Sequence, residues 1–489
     1  MAFAAVWPGP FQPALSLTRR GRGGTPAEVK HSLVLTLAAA TAAAAAAFPA
    51  CAQDRDADIA AVRDRALADR TAWKVVESLT TEVGPRMVGS PAMVRARDWG
   101  VATLTALGFQ NVHVEPFVTR AWARGEERAE VVSPYPQPLR ILGLGGSAPT
   151  PKGGLSAAIA VFPTYQAMLD QLPGALKGKI AVVTQRMSRT QDASGYGAAS
   201  PMRFQGAGEA ARRGAVAFLV RSLATDATRL PHAGEGGEAG IPAAALSVPD
   251  AELLERMAAR GQPVVVRLTM SSSVVPKAEA WNVVGEIPGR ERPGEVLVVG
   301  GHLDSWDPGT GAIDDGAGVA ITVAAARLAA AGRPPARTIR VVMWGSEEQG
   351  GSGGAYAKAH AGEVGQTVVA GESDLGADRV WRVALPAGGL SHPAMQAFAR
   401  AVAPLQVEVS RDPARYGGAD IRGIITAGVP VVDVHQDATR YFDFHHSADD
   451  TLDKIRPEDL AQTVAVWASF LSAVADSDVD FRALGKGKP

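Results

Sequence analysis

Four runs in the second half of the chain, Gly294–Gly301, Thr338–Trp344, Gln366–Gly371 and Val429–His435, are rich in Val, Ile and Leu and too short for helices. Such runs predict buried strands. Between and after them, Gly316–Ala331 is apolar and small, and Pro457–Ala475 carries apolar residues at helical spacing, so both predict helices packed on a sheet. Earlier, 56–79 and 91–107 predict helices ahead of a strand near 112–115. From about 121 to 275 the pattern changes to short strands such as 178–184 and 215–220 joined by Gly- and Pro-rich connectors. The expected fold is α/β, a three-layer α/β/α domain with a mixed sheet, interrupted by a smaller β-rich insertion. The expected divisions are a helical part over 53–120, the insertion over 121–275, the main α/β region over 276–480 and a tail over 481–489.

Each predicted strand leads into a polar cluster. Between Gly301 and Gly318 the chain reads GHLDSWDPGTGAIDDGAG, one histidine and four carboxylates in a segment too rich in Gly and Pro for a helix. The second run ends in Gly345-Ser346-Glu347-Glu348, the third in Glu372-Ser373-Asp374, and the fourth precedes Phe444-His445-His446-Ser447 by a few residues. Singly, each cluster reads as a turn or a solvated helix start. Together, at strand ends where open α/β sheets place their sites, they predict a metal centre. Imidazole mixed with carboxylate and no thiolate suits zinc, with manganese or cobalt as substitutes.

The order HLD, DDGAG, SEEQG, ESD, HHSADDT resembles the co-catalytic two-zinc aminopeptidase family, and the likeness runs from about Thr71 to the C-terminus. Within that family, WDPGTGAIDDG and FHHS are similar to a carboxypeptidase branch. The resemblance implies two Zn2+ per chain: His302 and Asp374 on one, Glu348 and His446 on the other, Asp314 bridging. His446 is preferred over His445 because it lies four residues before Asp450-Thr451. Glu347 matches the general base, and Asp304 matches an acid that orients the His302 imidazole. A carboxylate between two dications screens their repulsion, and a Glu beside them can carry the proton of an attacking water. The insertion resembles a protease-associated domain in GKIAVVTQR, GAGEAARRGAVAFLV and IPAAALSV, expected to roof the site. The branch resemblance implies hydrolysis of dipeptides or short peptides with a free N-terminus, and the family resemblance implies a homodimer. General aminopeptidase action, glutaminyl cyclisation or deacylation, and a non-catalytic receptor-like module are the alternatives. Asp307, Glu372 or Asp420 would bind the substrate ammonium, unranked. His232 reads as a loop histidine without a role, and the Gly-rich 142–148 segment as a turn, because no helical pattern follows it.

At the N-terminus, four basic residues precede an Ala-rich apolar run, 33–47, and a small-residue site ending at Ala52. This predicts a secretory signal over 1–52, with the stretch before 29 a mis-started extension, and an exported, periplasmic or extracellular protein. Cys51, the sole cysteine, offers lipid anchoring as the alternative; cleavage after Ala52 leaves a mature chain without thiols or disulfides. With 49 basic and 50 acidic residues the net charge is −1, which gives no support to a nucleic-acid or membrane-surface partner.

Overall fold

The computed structural model describes residues 55–484; the expected signal segment over 1–52 with Cys51, and the last five residues, lie outside the described residues. The main sheet has five strands, here β1 (Gln110–Ala123), β2 (Ser273–Ile287), β3 (Arg292–His302), β4 (Arg337–Trp344) and β5 (Thr367–Glu372). Their order across the sheet is β1-β2-β4-β3-β5, with β1 and β2 antiparallel to their neighbours and β4, β3 and β5 mutually parallel. The sheet is therefore mixed. Period-2 alternation sorts its side chains: Leu297 and Val299 enter one core with Val341, while Val296 and Val298 enter another with Val342 and Trp344.

The first core is covered by helices Thr71–Ser78, Ala317–Ala329 and Pro457–Ala475, and the second by Ser352–Ala359 and Arg422–Thr426. Pro457 opens its helix at the first position, where a missing N–H costs nothing, and Glu458 and Asp459 follow in the first turn, where they favour the helix dipole. Residues 459–475 of that helix are buried all round, as are most of 317–329. Small residues explain how two such helices pack closely. Ser90 caps Pro91–Ala106 by accepting from Met93 N at 3.2 Å.

Two expectations need correction. The single helix expected over 56–79 is broken: a helix over 55–68 is followed by a separate one at Thr71–Ser78 and a wider turn at Leu79–Val83. The fourth predicted strand touches the main sheet only at the Ala370–Val431 bridge; its continuation, Asp433–Gln436, pairs antiparallel with Val380–Ala384 in a separate three-stranded sheet. Pro430 lacks a donor, which limits pairing there.

Between β1 and β2 lies an eight-stranded sheet with its own two cores, spanning Glu127 to Met270. Its centre, Leu155–Phe162, Ile180–Val183, Ala217–Arg221 and Ala243–Leu246, is parallel, and helices Ser194–Phe204, Gly206–Arg212 and Val248–Ala258 accompany it. This segment is α/β in character, where the connectors suggest mostly strand. Ile141–Gly143 adds an edge strand, and the turn after it opens no helix.

Candidate metal centre

β3 ends on His302, and the loop beyond it is held from three sides before it enters the helix at Ala317. Asp315 accepts the N–H groups of His302 and Gly318, each at 3.0 Å, tying strand end to helix start. Gly318 must be glycine, since a Cβ there would lie 1.8 Å from the Ser373 carbonyl. Asp450 accepts from Ile313 N at 2.6 Å and Asp314 N at 3.3 Å. Arg86, wholly buried, donates to the carbonyls of Leu303, Thr310 (2.7 Å) and Gly311 (2.8 Å). Beyond β4, the N–H groups of Glu347 and Glu348 donate to the Asp304 carboxylate at 2.9 and 3.2 Å. Asp374 follows β5, and His446 sits in the loop after residue 444.

These positions converge. Asp314 Oδ1 lies 2.9 Å from His302 Nε2, and Asp314 Oδ2 lies 2.9 Å from His446 Nε2. Asp374 reaches His302 Nε2 at 3.5 Å, and Glu348 reaches His446 Nε2 at 3.1 Å. Asp314 thus stands between two imidazole–carboxylate pairs, and the donor atoms of His302, Asp314 and Asp374 lie within 4.8 Å of one another, as do those of Asp314, His445 and His446.

The donor chemistry fits a metal. His302 Nδ1 meets the Asp304 carbonyl at 2.9 Å and His446 Nδ1 meets the Ala233 carbonyl at 3.2 Å. An N–H at each Nδ1 leaves the Nε2 lone pair facing carboxylate oxygens, an arrangement that is repulsive unless a cation or proton lies between. Asp314 Oδ2 and Glu348 Oε1 are buried and lack hydrogen-bond partners. Burial lowers His446, but Glu348 and Asp314 more than offset it and hold the imidazole up at about 9. A bound cation would take the place of that proton.

Glu347 makes no side-chain hydrogen bond among the described residues, and burial, reinforced by Asp374 and Glu348, holds its carboxyl well above the usual range. Asp304 stands beside the His302 imidazole, as expected, and also reaches the segment beyond β4. Its carboxylate is 3.6 Å from His302 Nδ1, beyond an ordinary hydrogen bond; the backbone carbonyl meets the ring, and the carboxylate holds the Glu347–Glu348 backbone instead. His445 stacks on His446 at 3.5 Å and stands 3.5 Å from Asp314 Oδ2, but has no contact with Glu348 comparable to that of His446. Asp307 is paired with Arg124 at 2.8 Å. Glu372 and Asp420 are buried and linked through Asp420 N at 2.9 Å, with Asp420 accepting from Ser352 and Gly353 at the start of the helix after Glu347. His232 lies in a loop as expected, yet is buried with Nδ1 2.7 Å from the His445 carbonyl. The sequence pattern assigns no role to Asp315, Asp450 or Arg86, although Asp315 stands in DDGAG and Asp450 in HHSADDT.

A mixed sheet gathers acids and imidazoles at the carboxyl ends of its parallel strands, the donor set and the place of a metal centre in an α/β protein. Residues 282–471 match the model of peptidase family M28. Carboxypeptidase Q from Bos taurus is 37% identical over 418 residues, 84% of this chain and 86% of the relative. The crystal structure of a peptidase M28 precursor from Shewanella amazonensis SB2B superposes with a TM-score of 0.85 at 41% identity, covering 88% of this chain and 98% of that one. A zinc aminopeptidase from Bacillus subtilis shares the fold, with a TM-score of 0.60 at 19% identity over 84% of this chain and 98% of that one. The chain belongs to peptidase family M28 and is a metallo-exopeptidase.

Proposed function

We propose that this chain is an exported zinc exopeptidase that cleaves dipeptides or short peptides with a free N-terminus. The observation that carries the reading is Asp314, whose two carboxylate oxygens each face a different histidine at 2.9 Å. His302 and Asp374 would hold one zinc ion, Glu348 and His446 the other, and Asp314 would serve both. Zinc bound by these residues supplies a Lewis acid for the scissile carbonyl and makes a nearby water more acidic. Glu347 takes the proton from the attacking water and returns it to the leaving amine, a role open to a buried carboxylate beside the metal ligands that makes no side-chain hydrogen bond of its own among the described residues. Asp304 keeps Glu347 and Glu348 in place through their backbone N–H groups.

With Asp307 occupied by Arg124, Glu372 and Asp420 are the candidates left for the substrate ammonium. The 127–270 segment is read as a protease-associated-type domain that limits access to short substrates; its loop over His446 supports that reading. Similarity to carboxypeptidase Q supports exopeptidase action. Glu347→Gln is expected to keep its zinc, measured by metal analysis, and to lose turnover by about a hundredfold to ten-thousandfold. Near-normal rates would remove Glu347 from this role. N-blocked dipeptides and peptides with N-terminal Gln, assayed beside free dipeptides, separate this reading from deacylation and cyclisation.

A further inference from the structure

His446 has φ +60, a left-handed backbone that residues with a side chain rarely adopt and that persists only where surroundings over-determine it. Beside the turn bonds of the main α/β region, part of those surroundings comes from outside it. Ala233 N donates to the His446 carbonyl at 3.0 Å, His232 Nδ1 meets the His445 carbonyl at 2.7 Å, and the Ala233 carbonyl meets His446 Nδ1 at 3.2 Å. All three contacts come from one loop of the 127–270 segment. The loop is fixed in turn: Arg203, buried, donates to the carbonyls of Ala233 at 3.3 Å and Glu235 at 3.2 Å, and His232 N donates to Ser222 Oγ at 2.9 Å. At Gly234 no side chain fits, because a Cβ would lie 2.7 Å from His446 Nδ1 and 2.5 Å from the Arg203 guanidinium carbon.

We infer that the His232–Gly234 loop of the inserted segment is a built-in part of the metal centre, with His232 and Gly234 acting as positioning residues that hold His446 in its ligating pose. This rests on the reading of His446 as a zinc ligand. The loop does two separable things. The Ala233 carbonyl selects the tautomer that leaves Nε2 bare toward Asp314 and Glu348, and the bonds to the two backbone carbonyls hold the left-handed turn that aims the ring. The inserted segment is then more than a wall limiting access, since without this loop His446 loses its tautomer partner and the bonds to its own and the His445 carbonyl, keeping only the turn bonds of the main region such as Ser447 N to Phe444 O at 3.1 Å. The Asp374–His302 side makes no use of the loop, because His302 Nδ1 is served by Asp304.

The test compares the full chain with His232→Leu, His232→Asn and Gly234→Ala. Zinc stoichiometry and affinity are read by titration of metal-stripped protein, and folding by the melting temperature without metal. The wild type is expected to take two zinc ions. His232→Leu and Gly234→Ala are expected to weaken one of the two by about tenfold or more, leaving the other unchanged. His232→Asn, whose side-chain amide can donate where Nδ1 does, is expected to recover most of the loss. Two zinc ions of unchanged affinity in both His232→Leu and Gly234→Ala would overturn the inference. So would zinc loss that tracks only the unfolded fraction, with no recovery in His232→Asn. Fewer than two zinc ions in the wild type would overturn the two-metal reading itself, a distinguishable result.

Discussion

Arg86 is a lone cation buried among carbonyls, and its value lies in the geometry it enforces between residues 303 and 311. Burial lowers its pKa, opposed by Asp450 and Asp304. Arg86→Met would leave several buried carbonyls without donors, and we expect a loss of about 3 kcal/mol in denaturant unfolding, with His302 and Asp314 no longer held in register. A change within about 0.5 kcal/mol would show that the loop holds itself. At this scale the sequence is uneven in what it reveals. His302, Glu348 and Asp374 stand out as candidates because each is an acid or imidazole at or just after the end of an apolar run, and Asp314 because it opens an acid pair in the Gly-rich loop that follows one. Ala233 is not legible, because its contribution is a backbone carbonyl, and no side-chain pattern encodes where a carbonyl will point.

The strands β3, β4 and β5 are legible to within a residue or two, since buried parallel strands are apolar on both faces. Val429–His435 has the same character in sequence but turns away into another sheet, a choice made by packing on Val380–Ala384 that local pattern does not record. The outer edge of the main sheet is joined to its covering helix by ionic contacts: His360 meets Glu115 at 2.7 Å and Glu363 at 3.1 Å, and Arg340 meets Glu286 and Glu363. Burial alone lowers His360, but Glu115 and Glu363 raise it above its ordinary 6.5. That contribution is fully present below pH 6.5 and fades as pH rises through the raised value. Burial raises Glu115, yet His360 and His113 bring it below its ordinary 4.5, so its contribution is present above pH 4.5 and fades as pH falls through the lowered value. Glu115→Gln is therefore expected to cost about 1 kcal/mol near pH 6 and distinctly less at pH 9, read from melting temperatures in the two buffers. An equal loss at both pH values would deny the His360 pairing.

Over the whole molecule, the segment between β1 and β2 is legible as a separate pattern, whereas its reach into the centre is visible only in distances, over 200 residues of chain separating His232 from His445. Among the described residues no helix is long and apolar enough to cross a membrane. If the 127–270 segment roofs the site, turnover should fall steeply from dipeptides to longer peptides, and a flat profile across chain lengths would favour general aminopeptidase action. The central claim is the shared carboxylate of Asp314, and the most direct measurement is anomalous diffraction at the zinc edge from crystals of the full chain. Two peaks ~3.5–4 Å apart are predicted, one against His302 and Asp374, the other against His446 and Glu348, with Asp314 touching both. A single peak, or two peaks that leave Asp314 without a metal, would contradict it.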